Sequence, residues 1–191
     1  MTGGLVLAAG AGTRFAGGGP KLLAELDGRP VLEHVITAMC AVRELDRVLV
    51  VLGAHADEVL TGVAFGRAEP VRCPDWAEGM AASLRCGAAA LTGADRVLVA
   101  LGDAPGLTPE VVLRLLAAPA GARAVYRERP GHPVVLGRQH LRRLAEVQGD
   151  TGARRLLEEG PRVECGDLAS GLDIDTVADL EEVRNAARAS V

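Results

Sequence analysis

Aromatic side chains are scarce in this 191-residue chain, where Phe15, Phe65, Trp76 and Tyr126 form the whole set. A platform for stacking single-stranded bases needs more of them, which argues against that class of binding. No run reaches the roughly 18 apolar residues that a membrane-spanning helix requires. The start carries no basic n-region, and Met1 to Leu7 therefore reads as a first strand rather than a leader. Positive charge is not in excess either. A formal net charge of −4 argues against a nucleic-acid surface, and a local basic site in an acidic chain suits a small anionic ligand. Cys40, Cys73, Cys86 and Cys165 form no C-x-x-C and stand at no zinc spacing with histidine. They are expected to be reduced, partly buried thiols of a cytoplasmic protein. There is no internal repeat and no linker long enough for a second domain. The length suits one compact domain over residues 1–191, and 49% apolar residues supply its core.

What stands out is Leu5-Val-Leu-Ala-Ala-Gly-Ala-Gly-Thr-Arg-Phe, followed by Gly-Gly-Gly-Pro-Lys21. An apolar strand runs into a glycine-rich loop flanked by cations. Gly10 and Gly12 allow backbone N–H groups to approach a ligand that a side chain would block. Successive N–H groups in such a loop cradle an anion, normally phosphate. Arg14 forks phosphate oxygens and Lys21 adds a point charge. The dinucleotide fingerprint fails because Phe15 stands where its third glycine is needed, and a P-loop fails because no Gly-Lys pair occurs.

Apolar runs at residues 5–8, 48–52, 97–101, 124–126 and 134–136 are short and bounded by Gly, Pro or Asp. Continuously apolar strands of this kind suit a sheet covered on both faces. Helical patterns lie between them at 31–41, 57–63, 80–91, 109–117, 138–146, 153–159 and 176–189. Pro30 and Pro109 fit first turns, and Thr108 and Thr176 fit N-caps. The alternation predicts a three-layer α/β fold with a mostly parallel sheet. Ligands of such sheets bind beyond the carboxyl ends of the strands, so the loops after the first, third and fourth runs are expected to converge.

Asp103 follows the third run in Leu-Gly-Asp-Ala-Pro and suits a magnesium ion shared with triphosphate oxygens; a plain turn aspartate before Pro105 is the alternative. Asp173 and Asp175 are two apart, so an extended backbone turns both carboxylates to one side. They form a second metal pair or, with Thr176, a helix start, with Asp175 favouring the capping role. Gly79 and Ser83 open a helix whose free N–H groups and hydroxyl suit a base or phosphate, or simply cap it. Gly149-Asp150-Thr151-Gly152-Ala-Arg154 resembles another anion cradle at a helix start, with His132 of Gly-His-Pro nearby as a candidate partner; a strand-edge histidine bonded to a carbonyl is the alternative.

In their order, L-A-A-G-x-G-T-R-F, Lys21, G-M-A-A-S-L, L-G-D-A-P, G-H-P-V, G-D-T-G-A-R and D-I-D-T-x-x-D-L resemble the molybdenum cofactor cytidylyltransferase branch of the nucleotidyltransferases. The likeness runs from Leu5 to Leu180. It implies a Rossmann-like fold of the nucleotide-diphospho-sugar transferase type and magnesium-dependent transfer of CMP from CTP to molybdopterin, with release of pyrophosphate. It further implies nucleotide contacts at Leu7, Ala8, Ala9, Gly10, Gly12, Thr13, Arg14, Lys21, Gly79 and Ser83. Arg14, Lys21 and Asp103 would carry catalysis, and Asp103, Asp173 and Asp175 the metal. His132, Gly149, Asp150, Thr151, Gly152 and Arg154 would take the acceptor, and a molybdoenzyme would be the client. Related guanylyltransferases tend to carry L-A-G-G at this place, so Ala9 leans toward cytidine. The chain departs from the pattern at Ala104, where glutamine is usual. Another phosphorylated metabolite, GTP in place of CTP, or a non-catalytic pterin-binding accessory role therefore remain alternatives.

Overall fold

A computed structural model describes residues 1–16, 18–151 and 153–189, with the side chains of residues 151, 154, 155 and 186–189 outside that description. The strands are β1 (Thr2–Ala8), β2 (Glu25–Leu26), β3 (Arg29–Pro30), β4 (Arg47–Leu52), β5 (Glu69–Arg72), β6 (Arg96–Leu101), β7 (Arg123–Tyr126), β8 (Arg129–Gly137) and β9 (Arg162–Glu164). The α-helices are α1 (Val31–Ala41), α2 (Ala56–Gly62), α3 (Met80–Ala90), α4 (Pro109–Ala117), α5 (Arg138–Arg142) and α6 (Val177–Ala189). Seven strands form one sheet in the order β5-β4-β1-β6-β8-β7-β9, and β2 pairs with β3 in a small hairpin. β1 runs parallel to both β4 and β6, while β8 lies antiparallel to its neighbours β6 and β7. The sheet is thus mostly parallel, as the alternating pattern predicts.

Side chains along the central strands alternate between two cores, as a period of two requires. Val6 and Ala8 of β1, Val48, Val50 and Leu52 of β4, and Leu98 and Ala100 of β6 face α1, α2 and α4. Leu5, Leu49, Val51, Val97 and Val99 face α3 and its neighbours. Both faces are covered, so these strands are apolar throughout. α3 lies close on its face because it presents Gly87, where a Cβ would stand 2.3 Å from Leu5 Cδ1 and 2.7 Å from Val51 Cγ2. Thr108 caps α4 by accepting from Val111 N, with Pro109 in the first turn. Among the described residues no helix is long and apolar enough to cross a membrane.

Three features differ from the sequence expectation. β7 returns through Arg127 and Glu128, both at positive φ, into the reversed strand β8. A tight hairpin in which neither turn residue is glycine carries little signal, and its loop does not join those after β1 and β6. The helix expected over 153–159 is replaced by short 3-10 turns at Gly149–Thr151 and Arg154–Leu157. Leu157 still reaches the core from that tighter turn, and at Gly160 a Cβ would strike the Gly121 carbonyl oxygen at 2.0 Å. The helix expected over 138–146 is α5 followed by a 3-10 turn at Leu144–Glu146.

Candidate functional site

β1 and β6 end side by side, and Gly102 N donates to Leu7 O at 2.9 Å to close the edge. A Cβ on Gly102 would stand 3.0 Å from both Ala8 Cβ and Leu32 Cδ1, so the backbone there is drawn tightly against β1. The glycine loop leaves from β1 and Asp103 follows β6, which brings them together as the strand-end rule requires. Within the loop Phe15 N donates to Gly12 O at 2.9 Å. Gly12 has φ +62 and lies over the Lys21 stem, where a Cβ would stand 3.2 Å from Lys21 Cγ. At Gly10 a Cβ would meet nothing within 4 Å, because that face opens into a cavity.

The cavity has a volume of about 570 Å³. Every residue expected at the nucleotide lines it: Leu7 to Gly10, Gly12, Thr13, Arg14 and Lys21 from the loop side, and Gly79 and Ser83 from α3. Asp103, Asp173 and Asp175 line it as well. Lys21 Nζ donates to Asp103 and lies 3.3 Å from Asp175 Oδ1, and Arg14 Nη2 lies 2.9 Å from the same Asp175 oxygen. Lys21 is 12% exposed and Asp103 19%, whereas Arg14 is 73% exposed. Ile174 N donates to Asp103 O at 2.8 Å, which fixes the segment carrying Asp173 and Asp175 beside β6. That segment supplies the third arm of the site, in place of the loop after β7.

Asp175 does not take the capping role. Asp179 does: its Oδ2 accepts from the amides of Asp175 and Thr176, at 3.0 and 2.7 Å, and Thr176 Oγ1 accepts from Asp179 N at 3.2 Å. This reciprocal box releases the Asp175 carboxylate toward Arg14 and Lys21. Crowding against the protein, then the charges of Asp103 and Asp175, push the Asp173 carboxyl up to about 7, against the opposing pull of Lys21. Its side chain is exposed along the cleft, where water also reaches it. Three carboxylates facing two cations leave a surplus of negative oxygen donors, and hard oxygen donors of this kind suit a divalent cation completed by phosphates and water. Among the described residues no cluster of three or more His, Cys, Asp or Glu side chains is already gathered around one point.

The expected acceptor residues divide. Asp150 lines the same cavity, and its Oδ1 accepts from Met80 N at 3.2 Å, so it occupies the first turn of α3 rather than standing at a separate helix start. Gly149 packs under Gly79, whose φ is +105 and where a Cβ would stand 2.7 Å from Gly149 C. His132 lies within β8 rather than before it, and is not a lining residue; its carbonyl accepts from Tyr126 OH at 2.7 Å. Gly152 and the side chains of Thr151 and Arg154 lie outside the described residues. Trp76, Ala77, Met80, Leu22 and Leu101 add apolar wall that the motif reading missed. The one signal for Trp76 was its place as the sole tryptophan just before Gly79 and α3.

The family model described as the MobA-like NTP transferase domain matches residues 4–164. Nicotine blue oxidoreductase of Paenarthrobacter nicotinovorans is 37% identical, over 93% of this chain and 93% of its own length. The 2-C-methyl-D-erythritol 4-phosphate cytidylyltransferase of Cereibacter sphaeroides is 41% identical over 65% of this chain, which spans 58% of that enzyme. Among solved structures, Rv0371C of Mycobacterium tuberculosis H37Rv in complex with manganese superposes with a TM-score of 0.79 at 26% identity, over 97% of this chain and 98% of its own.

Proposed function

Because this chain belongs to the MobA-like NTP transferase domain family, we propose that it transfers CMP from CTP to a phosphorylated acceptor of the molybdopterin type, releasing pyrophosphate. The observation that carries this reading is the meeting, in one cavity, of a glycine loop with Arg14 and Lys21, of Asp103 after β6, and of Asp173 and Asp175 on the segment beside it. An NTP transferase acts on small molecules, and no side-chain nucleophile is needed. The acceptor phosphate oxygen forms a bond to the α-phosphorus as the bond to the β-phosphate bridging oxygen breaks. Loop amides hold the triphosphate, and Lys21 and Arg14 offset the negative charge that grows on the leaving pyrophosphate. Asp103, with Asp173 and Asp175, would hold the divalent ion, which neutralises triphosphate charge when bound. The manganese complex of the mycobacterial neighbour supports a divalent requirement, and we take magnesium as the working ion. Trp76 and Met80 form an apolar wall suited to the base. Ala9 and the likeness to a cytidylyltransferase favour CTP. Gly149 and Asp150, beside α3, and His132 on β8 are assigned to the acceptor side, with a molybdoenzyme as the client.

The test is pyrophosphate release with CTP, GTP, ATP and UTP, each offered with molybdopterin, a sugar phosphate and methylerythritol phosphate, with and without Mg²⁺. CTP with molybdopterin is expected to turn over fastest. Release with another pair keeps the chemistry and changes the substrate, and nucleotide binding without any release points to an accessory protein. The long alignment with a named oxidoreductase motivates a second reading, redox chemistry on the same fold. Oxidation of NADH or NADPH in the same panel, without pyrophosphate, would replace the transferase assignment.

A further inference from the structure

Tyr126 ends β7 with 7% of its surface exposed, outside the cavity but behind the segment that brings Asp173 and Asp175 to its wall. Its ring is flanked by glycine backbone on two segments. A Cβ on Gly131 would stand 3.0 Å from ring atoms Cδ2 and Cε2, and a Cβ on Gly171 would stand 2.2 Å from Cδ2. Any side chain at residue 171 would therefore strike the ring, so ring and main chain are in direct contact there. Two residues further on comes Asp173, followed by the fully buried Ile174, whose amide holds Asp103 O, and then Asp175. The hydroxyl reaches the other way and donates to His132 O at 2.7 Å. Burial above all, then the nearby Cys165 and Asp173 charges, push the phenol upward, so it keeps its proton and remains a donor.

We propose that Tyr126 is a positioning residue for both sides of the site: its ring seats the Gly171–Asp175 segment carrying two of the acids, and its hydroxyl fixes the main chain at His132. The proposal rests on the metal role of those acids and the acceptor role of His132 given above. The two functions belong to different atoms of one side chain, so they separate by substitution. Tyr126→Phe deletes only the hydroxyl. Tyr126→Leu also removes the surface on which Gly171 rests, and Gly171→Ala displaces the same contact while leaving the tyrosine intact.

Mn²⁺ affinity of the full chain, read from the free-ion EPR signal, reports on the acids without needing turnover. Tyr126→Leu is expected to weaken Mn²⁺ binding about fivefold or more, and Tyr126→Phe to restore it to within about twofold of wild type. The ring resonances of His132, in protein labelled with ¹³C-histidine and assigned by His132→Gln, are expected to shift in Tyr126→Phe. Wild-type Mn²⁺ affinity in folded Tyr126→Leu overturns the ring assignment; if that variant does not fold, wild-type affinity in Gly171→Ala does so. An unmoved His132 resonance in Tyr126→Phe overturns the hydroxyl assignment, and a wild-type protein that binds no Mn²⁺ overturns the link to the acids. If CTP yields no pyrophosphate with any acceptor, the proposed function fails while both readouts still decide the part played by Tyr126.

Discussion

Replacing Lys21 by methionine isolates the charge beside the glycine loop from its packing. Methionine keeps an unbranched stem against Gly12, where a glycine Cβ would stand 3.2 Å from Lys21 Cγ, and loses only the ammonium. That ammonium belongs to a side chain 12% exposed, bonded to Asp103, which is itself 19% exposed. A charge so placed is weakly screened, and losing one preorganised donor at developing negative charge costs about 3–4 kcal/mol of transition-state stabilisation. Turnover is therefore expected to fall roughly 100- to 1,000-fold. Arg14 is 73% exposed, so water screens it, and Arg14→Ala is expected to cost only about tenfold. From the sequence the two cations look equivalent; burial separates them. Stability should move too. The Lys21–Asp103 pair lies between an exposed pair, worth about 0–1 kcal/mol, and a buried one, where removing a partner costs about 3–5 kcal/mol. A loss near 1–2 kcal/mol would lower Tm by roughly 2–8 °C for a chain of this size. The assay is pyrophosphate release under saturating CTP, with circular dichroism to confirm the fold. Near wild-type kcat in folded Lys21→Met refutes the assignment of this loop to the triphosphate.

Asp103→Asn is expected to abolish metal-dependent turnover and, because Asp103 is mostly buried against Lys21, to lower Tm by a few degrees; full activity at low Mg²⁺ would transfer the metal to Asp173 and Asp175. Gly79→Ala forces a Cβ within 2.6 Å of Asp150 Oδ1 at a backbone of φ +105, a strain of about 1–3 kcal/mol, so CTP affinity by calorimetry should fall at least about fivefold, and an unchanged affinity would remove the α3 start from the nucleotide site. His140 accepts from Gly137 N at 3.0 Å through Nδ1, and burial, then Arg143, hold its pKa below the usual value. Its folded pKa lies below its unfolded one, so the stability it contributes is present above about pH 6.5 and is lost as pH falls below that. Wild type should lose more Tm between pH 7.5 and pH 5.5 than His140→Gln, and equal losses would refute the role.

The central strands were legible because burial on both faces demands unbroken apolar runs, and Val48–Leu52 and Val97–Leu101 have no other reading. Helices α1 and α4 match their expected bounds because Pro30 and Thr108-Pro109 mark their starts and the apolar period continues to Ala41 and Ala117. The glycine loop was legible for a different reason: few folds need glycines between an apolar strand and paired cations. The 3-10 turns from Gly149 to Leu157 were misread as a helix, since local pattern cannot show that Asp150 is already spoken for by Met80 N. The role of Asp175 was misread likewise. Asp179 stands at the capping-box spacing from Thr176 and takes that place, while the path of the chain beside Asp103 directs Asp175 to Lys21 and Arg14.

Periodicity, turn chemistry and motif order are properties of neighbours along the chain, and they determined the layered sheet, the glycine loop and the acid at the end of β6. Convergence is a property of distant residues. That Lys21 meets Asp103 and Asp175 across 82 and 154 residues, that Asp150 closes on α3, and that Tyr126 stands behind both Gly171 and His132 was decided only when the sheet brought those segments together.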